Sequence, residues 1–176
     1  SSGNILVAAN AAINDPAALT IAAWIYPIGY GESSFGRIWD KNQKNFFLDN
    51  DGVAPDGTLR MSVTHSLGST ARSGQASWIN LNQWQFVCGC WNGNQSNVTD
   101  TDLTLFRNAV ESNAYTGTGP TSANISSDAG SAAYIGNRSA DDRTFNGNIA
   151  YLHFYNRVLT TTEMSQIMKS PASITR

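Results

Sequence analysis

Alternation of apolar and polar positions predicts β-strands along most of the chain. The clearest runs are followed closely by Pro, Gly, Asn or Asp, the residues that end strands, and lie at 19–27, 45–48, 58–64 and 84–91. In 19–27, LTIAAWIYP, both alternating sets are mostly apolar. A strand that is apolar on both faces belongs in the middle of a sheet.

The run 145–168 predicts a closing strand followed by a helix. Asn146-Gly147 is a turn signal, and a period of two follows it. That period places on one face Ile149, Tyr151, His153 and Tyr155, and on the other Ala150, Leu152 and Phe154. We expect the side chains of Leu152 and Phe154 to point into a core.

The helix has a recognisable start. Thr160 is placed to cap it, and Glu163, three residues later, can return the hydrogen bond. Leu159 and Met164 occupy the two positions of a hydrophobic staple. The spacing therefore predicts a short helix that begins at Thr161 and ends before Pro171.

The remaining segments complete an all-β prediction. A two-residue turn at Asn108-Ala109 joins strands at 103–107 and 110–116, whereas 65–77 and 117–130 are polar, Gly/Ser-rich stretches that we interpret as loops. About a dozen short strands and one C-terminal helix indicate two antiparallel sheets packed as a jelly-roll sandwich. No composition break divides residues 1–176, so we expect a single domain.

Five blocks in order resemble laminin G-like domains of the concanavalin A-like lectin/glucanase superfamily. The strand 19–27 is similar to the family's T-I-S-A-W-V-x-P, and 84–93, WQFVCGCWNG, is similar to W-H-H-V-A-x-x-Y-D-G. The other blocks are 36–41, 103–110 and 134–136, and the closing signature 145–164 follows them. The resemblance implies a concanavalin A-like jelly roll and makes 4–13 its first core strand. The chain departs from the family at Ala109, usually glycine, and at Ala150, often aspartate.

Composition excludes several classes of partner. The net charge is -2 with only three lysines, so no basic stripe is available to neutralise phosphates and we expect no nucleic acid partner. No apolar run approaches the roughly 20 residues that span a bilayer, so we expect no membrane insertion. Cys88 and Cys90, the only cysteines, share one face of a strand and are expected to be buried free thiols.

Glycoside hydrolysis requires two facing carboxylates. In the glucanase branch these lie close together on one strand, but this chain has only Glu32, Glu111 and Glu163, none near another. Because Glu163 already has a capping role, we expect a protein that is not an enzyme.

Calcium is a candidate ligand because related lectin domains hold it at a loop rim with Asp and Asn oxygens. Two clusters of such residues occur: Asp49, Asn50, Asp51 and Asp56 in one hairpin tip, and Asp141 with Asp142 in another loop. Neither has the spacing of an EF-hand, and Asp and Asn are also ordinary turn residues.

Glycan binding would use exposed aromatic rings beside polar side chains. The loop 28–37 and the strand after it supply the first candidate set, Tyr30, Glu32, Phe35, Arg37 and Trp39. A second candidate rim contains Arg138 and Arg143 with Asp141 and Asp142.

These observations predict a non-catalytic carbohydrate-binding or surface-adhesion module, located outside a cell or on a particle such as a virion. Its partner would be a glycan or another cell-surface ligand. The alternative is a structural decoration or assembly protein whose sandwich contacts neighbouring protein subunits. An assembly module should bury a hydrophobic patch of about 800 Å² per partner, whereas a glycan binder should expose aromatic loop tips around a shallow pocket.

Overall fold

The computed structural model describes residues 3–50, 57–96, 98–119 and 124–169. In chain order its strands are β1 (Ile5–Val7), β2 (Leu19–Pro27), β3 (Arg37–Lys41), β4 (Lys44–Asp49), β5 (Thr58–His65), β6 (Gly68–Ser73), β7 (Gln85–Trp91), β8 (Leu103–Arg107), β9 (Val110–Glu111), β10 (Thr116–Thr118), β11 (Ala133–Ile135) and β12 (Gly147–Tyr155). One α-helix follows, α1 (Thr161–Lys169).

The described strands form two antiparallel sheets. The seven-stranded sheet has the order β1-β11-β3-β4-β5-β6-β10, and the five-stranded sheet has the order β12-β2-β7-β8-β9. The predicted jelly-roll sandwich with one short helix is thereby confirmed. The extent of the domain, 1–176, stays a prediction.

Apolar side chains fill two layers. The main core lies between the sheets and contains Ile21 and Ile25 of β2, Phe46 and Met61 of the facing sheet, and Trp91. A second cluster lies where α1 packs on the outer face of the five-stranded sheet, with Phe86, Cys88 and Cys90 under Leu159, Met164 and Ile167. Both cysteines are free and buried, as predicted, and burial raises the pKa of Cys90 to about 11.

The start of α1 follows the predicted capping box. Thr160 Oγ1 accepts a hydrogen bond from the Glu163 amide at 3.2 Å, and Glu163 Oε2 accepts one from the Thr160 amide at 2.8 Å. Leu159 and Met164, the predicted staple, are both buried in the second cluster. Hydrogen bonds from Arg157 and then Thr160 lower the pKa of Glu163 to about 2, so its carboxylate stays charged at neutral pH.

The predicted alternation in β12 is wrong before Leu152. The register with β2 shifts between Ala150 and His153, and Tyr151 has a φ of 49°, so Tyr151 is the extra residue of a β-bulge. As a result Ile149 packs on the main core together with Leu152 and Phe154. Leu152 and Phe154 point inward as predicted, but Ile149 is on their side of the sheet.

Three strand predictions need correction. The segment 4–13 contributes only β1, at the edge of the seven-stranded sheet, and its Ile5 and Leu6 are 63% and 58% exposed. The stretch 65–77, interpreted as a loop, contains β6, and 110–116 is divided between β9 and the start of β10. Because β10 pairs with β6, the chain crosses from the five-stranded to the seven-stranded sheet between β9 and β10.

The turn at Asn108 and Ala109 has positive φ at both positions, 53° and 61°, as a two-residue hairpin requires. Alanine is strained there because its Cβ crowds the following carbonyl. We expect Ala109→Gly to be neutral or to stabilise the fold by up to about 1 kcal/mol, with part of the gain offset by the loss of the Ala109 methyl from the second cluster. Urea denaturation measures this; clear destabilisation would mean that the methyl contact outweighs the backbone strain.

A buried ionic cluster holds the β3–β4 hairpin to the loop that precedes β11. Asp128 is fully buried, and its carboxylate pairs with Lys41 Nζ at 2.9 Å and with Lys44 Nζ at 2.7 Å. The backbone amide of Asp15 also donates to the Asp128 carboxylate, at 2.8 Å.

None of the helices in the described residues is long and apolar enough to cross a membrane.

Candidate functional site

An open groove of about 360 Å³ lies on the solvent face of the seven-stranded sheet. It is lined by Phe35, Arg37, Phe47, Arg60, Ser62, Ser69, Ala71, Arg138 and Arg143. Strands β3 to β6 form its floor, and the loops at 28–36 and 136–146 form its wall. Its volume is at the lower end of the range for ligand pockets, about 300–1,000 Å³.

The register of the sheet builds the floor. Arg37 of β3 pairs with Phe47 of β4, and Phe47 pairs with Arg60 of β5, so these three side chains stand in one row. Directly paired residues of antiparallel strands share a face of the sheet. Because Phe46 and Leu48 point into the core, Phe47 and its two paired arginines face the groove.

The two loops of the wall are joined by backbone hydrogen bonds. The Glu32 amide donates to the Thr144 carbonyl at 2.9 Å, and the Arg37 amide donates to the Arg143 carbonyl at 3.0 Å. Glu32 also accepts a hydrogen bond from the Thr144 hydroxyl at 3.1 Å. This pairing explains why residues more than 100 positions apart line the same groove.

Asn137 shapes the second loop from within. It is fully buried, and its Oδ1 accepts hydrogen bonds from the amides of Arg138 at 2.9 Å and Arg143 at 3.0 Å. Its Nδ2 donates to Thr144 Oγ1 at 3.1 Å. One buried amide therefore closes the loop and brings both of its arginines to the groove.

Each guanidinium of the groove has a carboxylate beside it. Arg37 Nε is 3.0 Å from Asp40 Oδ2, and Arg60 Nη1 is 2.6 Å from Asp49 Oδ2. Arg138 contacts both oxygens of Asp142, at 2.5 and 2.6 Å, while Arg143 Nη1 is 3.9 Å from the same carboxylate.

Burial and charge shift the pKa values of these groups in opposite directions. The hydrogen bonds from Arg138 lower the pKa of the exposed Asp142 carboxyl. Burial raises the pKa of Asp40, although the neighbouring Arg37 opposes the rise. Burial also lowers the pKa of Arg37, Asp40 opposes this decrease, and the positive charges of Arg138 and Arg143 add smaller decreases. The guanidiniums are therefore close enough to repel one another.

Two phenylalanine rings lie among these charges. The rings of Phe35 and Phe47 meet edge to face with their centroids 6.2 Å apart. The guanidinium of Arg37 covers Phe47 at 4.0 Å, and that of Arg143 lies 5.5 Å from the centroid of Phe35. Phe47 is 5% exposed, whereas Phe35 is half-buried and is the ring more open to a ligand.

Four of the seven predicted ligand-binding residues line this groove: Phe35, Arg37, Arg138 and Arg143. Glu32 does not line the groove but joins its two loops through Thr144. Tyr30 packs its ring on Gly57, since a Cβ at Gly57 would lie 1.8 Å from Tyr30 Cε1. Ligand binding by these residues stays a prediction.

Trp39 is a wrong prediction for an exposed stacking ring. It is 2% exposed and packs in the main core against Phe154, with ring centroids 5.5 Å apart. The physical reason is an irregularity in the β3–β4 register between Arg37 and Trp39, which places Trp39 opposite the core residue Phe46.

Sequence reasoning missed the floor of the groove: Phe47, Arg60, Ser62, Ser69 and Ala71. Arg60 carried a usable signal, because it alternates with the apolar Leu59 and Met61 in TLRMSVTH and must therefore face solvent. Phe47 carried none, since its neighbours Phe46 and Leu48 are equally apolar.

The described acidic residues do not fit a calcium site. Asp49 pairs with Arg60, and Asp142 holds Arg138 through both oxygens. Asp141 accepts hydrogen bonds from the side-chain amides of Asn4 at 2.7 Å and Asn137 at 3.3 Å. Among the described residues no three His, Cys, Asp or Glu side chains come together as a metal site requires. Asp51 and Asp56 lie outside the described residues, so calcium at that hairpin tip stays a prediction.

Several solved structures share this fold. A heptameric SAP-like pentraxin from Limulus polyphemus matches with a TM-score of 0.53 and 18% identity, over 85% of this chain and 69% of the pentraxin chain. A candidate carbohydrate-binding protein from Bacteroides ovatus matches with a TM-score of 0.64 and 14% identity, over 94% of this chain and 44% of the other.

A third match is domain 4 of AbnA, a GH43 extracellular arabinanase from Geobacillus stearothermophilus, in complex with arabinotriose. Its TM-score is 0.59 at 17% identity, over 93% of this chain and 71% of that domain. At such identities the matches show a shared lectin-like fold. No curated protein sequence matches the chain.

The amino-acid sequence itself shows the family. A laminin G-like family model matches residues 1–165, which include every strand of both sheets and the first half of α1. The chain therefore belongs to the concanavalin A-like lectin/glucanases superfamily.

Proposed function

We propose that this protein is a non-catalytic module that binds a glycan in the groove on its seven-stranded sheet. The observation that carries the proposal is the combination, in one open groove, of a half-buried ring at Phe35, the guanidiniums of Arg37, Arg60, Arg138 and Arg143, and the hydroxyls of Ser62 and Ser69. Sugar recognition uses this mixture of apolar ring faces and hydrogen-bond donors.

Each part of the groove has a role in such binding. Phe35 offers apolar surface to the C–H face of a sugar ring, and the arginines donate hydrogen bonds to hydroxyl oxygens. Ser62 is mostly buried and Ser69 is exposed, so the two serines offer hydroxyls at different depths. The joined loops and the cross-strand row hold these groups in place before a ligand arrives, which lowers the entropic cost of binding.

The described carboxylates of the groove support a binding role over hydrolysis. Asp40, Asp49 and Asp142 each pair with an arginine, so their oxygens are already engaged, whereas glycoside hydrolysis requires two carboxylates that face each other across the substrate. The similarity to a domain of an extracellular arabinanase supports a location outside the cell.

The assembly alternative has less support. The described residues with large exposed apolar side chains come from separate parts of the chain: Ile5, Leu6, Ile28, Leu67, Trp84, Val110, Tyr151 and Val158. Only Ile5 and Leu6 are adjacent in the sequence, and neighbouring residues of a strand point to opposite faces. Across strands, the ring of Trp84 lies 5.7 Å from that of Tyr26, two residues before Ile28. No two successive same-face positions of one described strand expose such side chains together.

A glycan array, probed with the protein in calcium and again in chelator, tests the proposal directly. We expect binding to a defined set of glycans. Equal binding in both conditions would show that recognition does not need calcium, and loss of binding in chelator would show that it does. Absence of binding to any glycan in either condition would contradict the proposed function.

Phe35→Ala tests whether the groove is the site. Removal of a stacking ring should weaken binding of the best array ligand about five- to thirty-fold, because an aromatic contact of this kind is worth about 1–2 kcal/mol. The matched control is Tyr151→Ala, which removes an exposed ring from the five-stranded sheet. Isothermal titration calorimetry measures both, and equal affinities for the two variants would place the glycan elsewhere.

A further inference from the structure

We propose that the glycan bound in this groove is acidic, with a carboxylate or sulfate group on the sugar that the groove arginines bind. This inference rests on the proposed function and narrows it to a chemical class of ligand.

The charge of the groove differs in sign from that of the chain. Four of the eight arginines of the protein line it, and three carboxylates accompany them, which leaves one positive charge in excess. The whole chain has a net charge of -2. A neutral glycan needs hydrogen-bond donors but no such concentration of guanidiniums, whereas an anion gains from every one of them.

Arg143 has the guanidinium with the most N–H groups available to a ligand. In the described part of the chain its side chain donates through Nη1 alone, to the Asp142 carbonyl at 2.7 Å. Its Nε and Nη2 protons have no protein acceptor among the described residues. Those two nitrogens form the edge of the guanidinium that binds a carboxylate or sulfate through two parallel hydrogen bonds.

The guanidinium of Arg143 lies beside the stacking ring. Its guanidinium carbon lies 5.5 Å from the centroid of Phe35, so a sugar in contact with Phe35 has a charged ring substituent within reach of Arg143. Recognition of the ring and recognition of the acid would then occur on one monosaccharide unit.

Mutual repulsion within the groove favours an anion. Arg138 and Arg143 both act to lower the pKa of the buried Arg37, against a larger opposite effect of Asp40, so three like charges interact across the groove. Asp142, which is 45% exposed, is shared between Arg138 and Arg143 and balances only one of them. An anionic ligand would supply the missing charge in a site where partial burial strengthens each interaction.

The test uses ligands that differ only in charge. Immobilised glycans should include unsulfated chondroitin and polygalacturonate, which carry carboxylates, their carboxyl-reduced neutral forms, and carboxyl-reduced chondroitin sulfate, which carries sulfate alone. We expect at least one acidic glycan to bind at least about ten-fold more tightly than its neutral form. The carboxylate and sulfate arms show which of the two acids the groove selects.

Two variants with opposite expected effects on affinity test whether the acidic group of the glycan binds at Arg143. Arg143→Gln should weaken the acidic glycan about ten-fold or more and change a neutral glycan less than about two-fold. Asp142→Asn removes a competing carboxylate and should strengthen the acidic glycan several-fold. Damage to the fold cannot produce a tighter complex, so the second variant excludes that explanation. Arg157→Gln, an equal charge change at the helix cap, serves as the control.

The outcomes separate this inference from the proposed function. If acidic glycans and their neutral forms bind equally and Phe35→Ala weakens both, the groove binds glycans but the acidic preference is wrong. If Asp142→Asn leaves the affinity of the acidic glycan unchanged or weakens it, the charge of the groove does not select the ligand. If no acidic glycan binds at low salt, the inference is wrong whatever the neutral glycans show.

Discussion

Asp128→Asn should lower the free energy of unfolding by about 3–5 kcal/mol, the usual cost of removing one partner from a buried ion pair. The carboxylate is fully buried and pairs with both Lys41 and Lys44, whose side chains are 1% and 2% exposed. Asparagine has almost the same size and keeps one oxygen, so packing changes little. The loss comes from two ammonium groups left in a site that excludes water.

The matched control is Asp142→Asn, the same substitution at a carboxylate that is 45% exposed and paired with Arg138. Pairs in contact with solvent contribute about 0–1 kcal/mol, so this variant should denature almost as the wild type does. Urea denaturation followed by tryptophan fluorescence compares the two. If the free energy of unfolding falls by the same small amount in both variants, water reaches Lys41 and Lys44 and the cluster is not buried.

Local patterns were enough to predict the central strands and the helix. In β2 both faces are apolar, and the structure places it between β12 and β7 in the five-stranded sheet. The start of α1 was readable because Thr160 and Glu163 act on each other across three residues. The turn at Asn108 was readable for the same reason. In each case the interacting groups lie within one turn or one strand.

Long-range pairing explains most of the failures. Strand β6, GSTARS, has too few apolar residues for an alternating signal, and it is a strand because β5 and β10 flank it. Lys41 and Lys44 look like turn residues in KNQKN, but their partner Asp128 is 87 and 84 positions away. The bulge at Tyr151 likewise shows only in the register with β2.

The same difference between local patterns and long-range pairing applies to the candidate site. Its loops were predictable because Phe35 and Arg37 combine a ring and a charge in a Gly-rich stretch without a core pattern. Trp39 could not be separated from them, since two residues along a regular strand it would share the face of Arg37. Only the irregular register of β3 turns Trp39 into the core.

The loop that carries Phe35 depends on Gly31, and Gly31→Ala should destabilise the fold by about 2–6 kcal/mol. Gly31 has φ 86° and ψ -177°, a region that essentially only glycine adopts, at a cost of about 1–3 kcal/mol for other residues. A Cβ at this position would lie 2.3 Å from Gly36 Cα and 2.6 Å from the Thr144 carbonyl oxygen. Overlap of this kind adds about 1–3 kcal/mol.

Gly68→Ala separates the two causes, because Gly68 also has a positive φ, 134°, but a Cβ there would meet no atom within 4 Å. It should cost only the conformational part, about 1–3 kcal/mol. Because the atoms that Gly31 approaches belong to the backbone of both loops of the wall, Gly31→Ala should also part those loops and weaken glycan binding, whereas Gly68→Ala should leave affinity unchanged. Denaturation and calorimetry on the two variants measure this difference. If Gly31→Ala and Gly68→Ala have the same stability and the same glycan affinity, the two loops are not held together at Gly31.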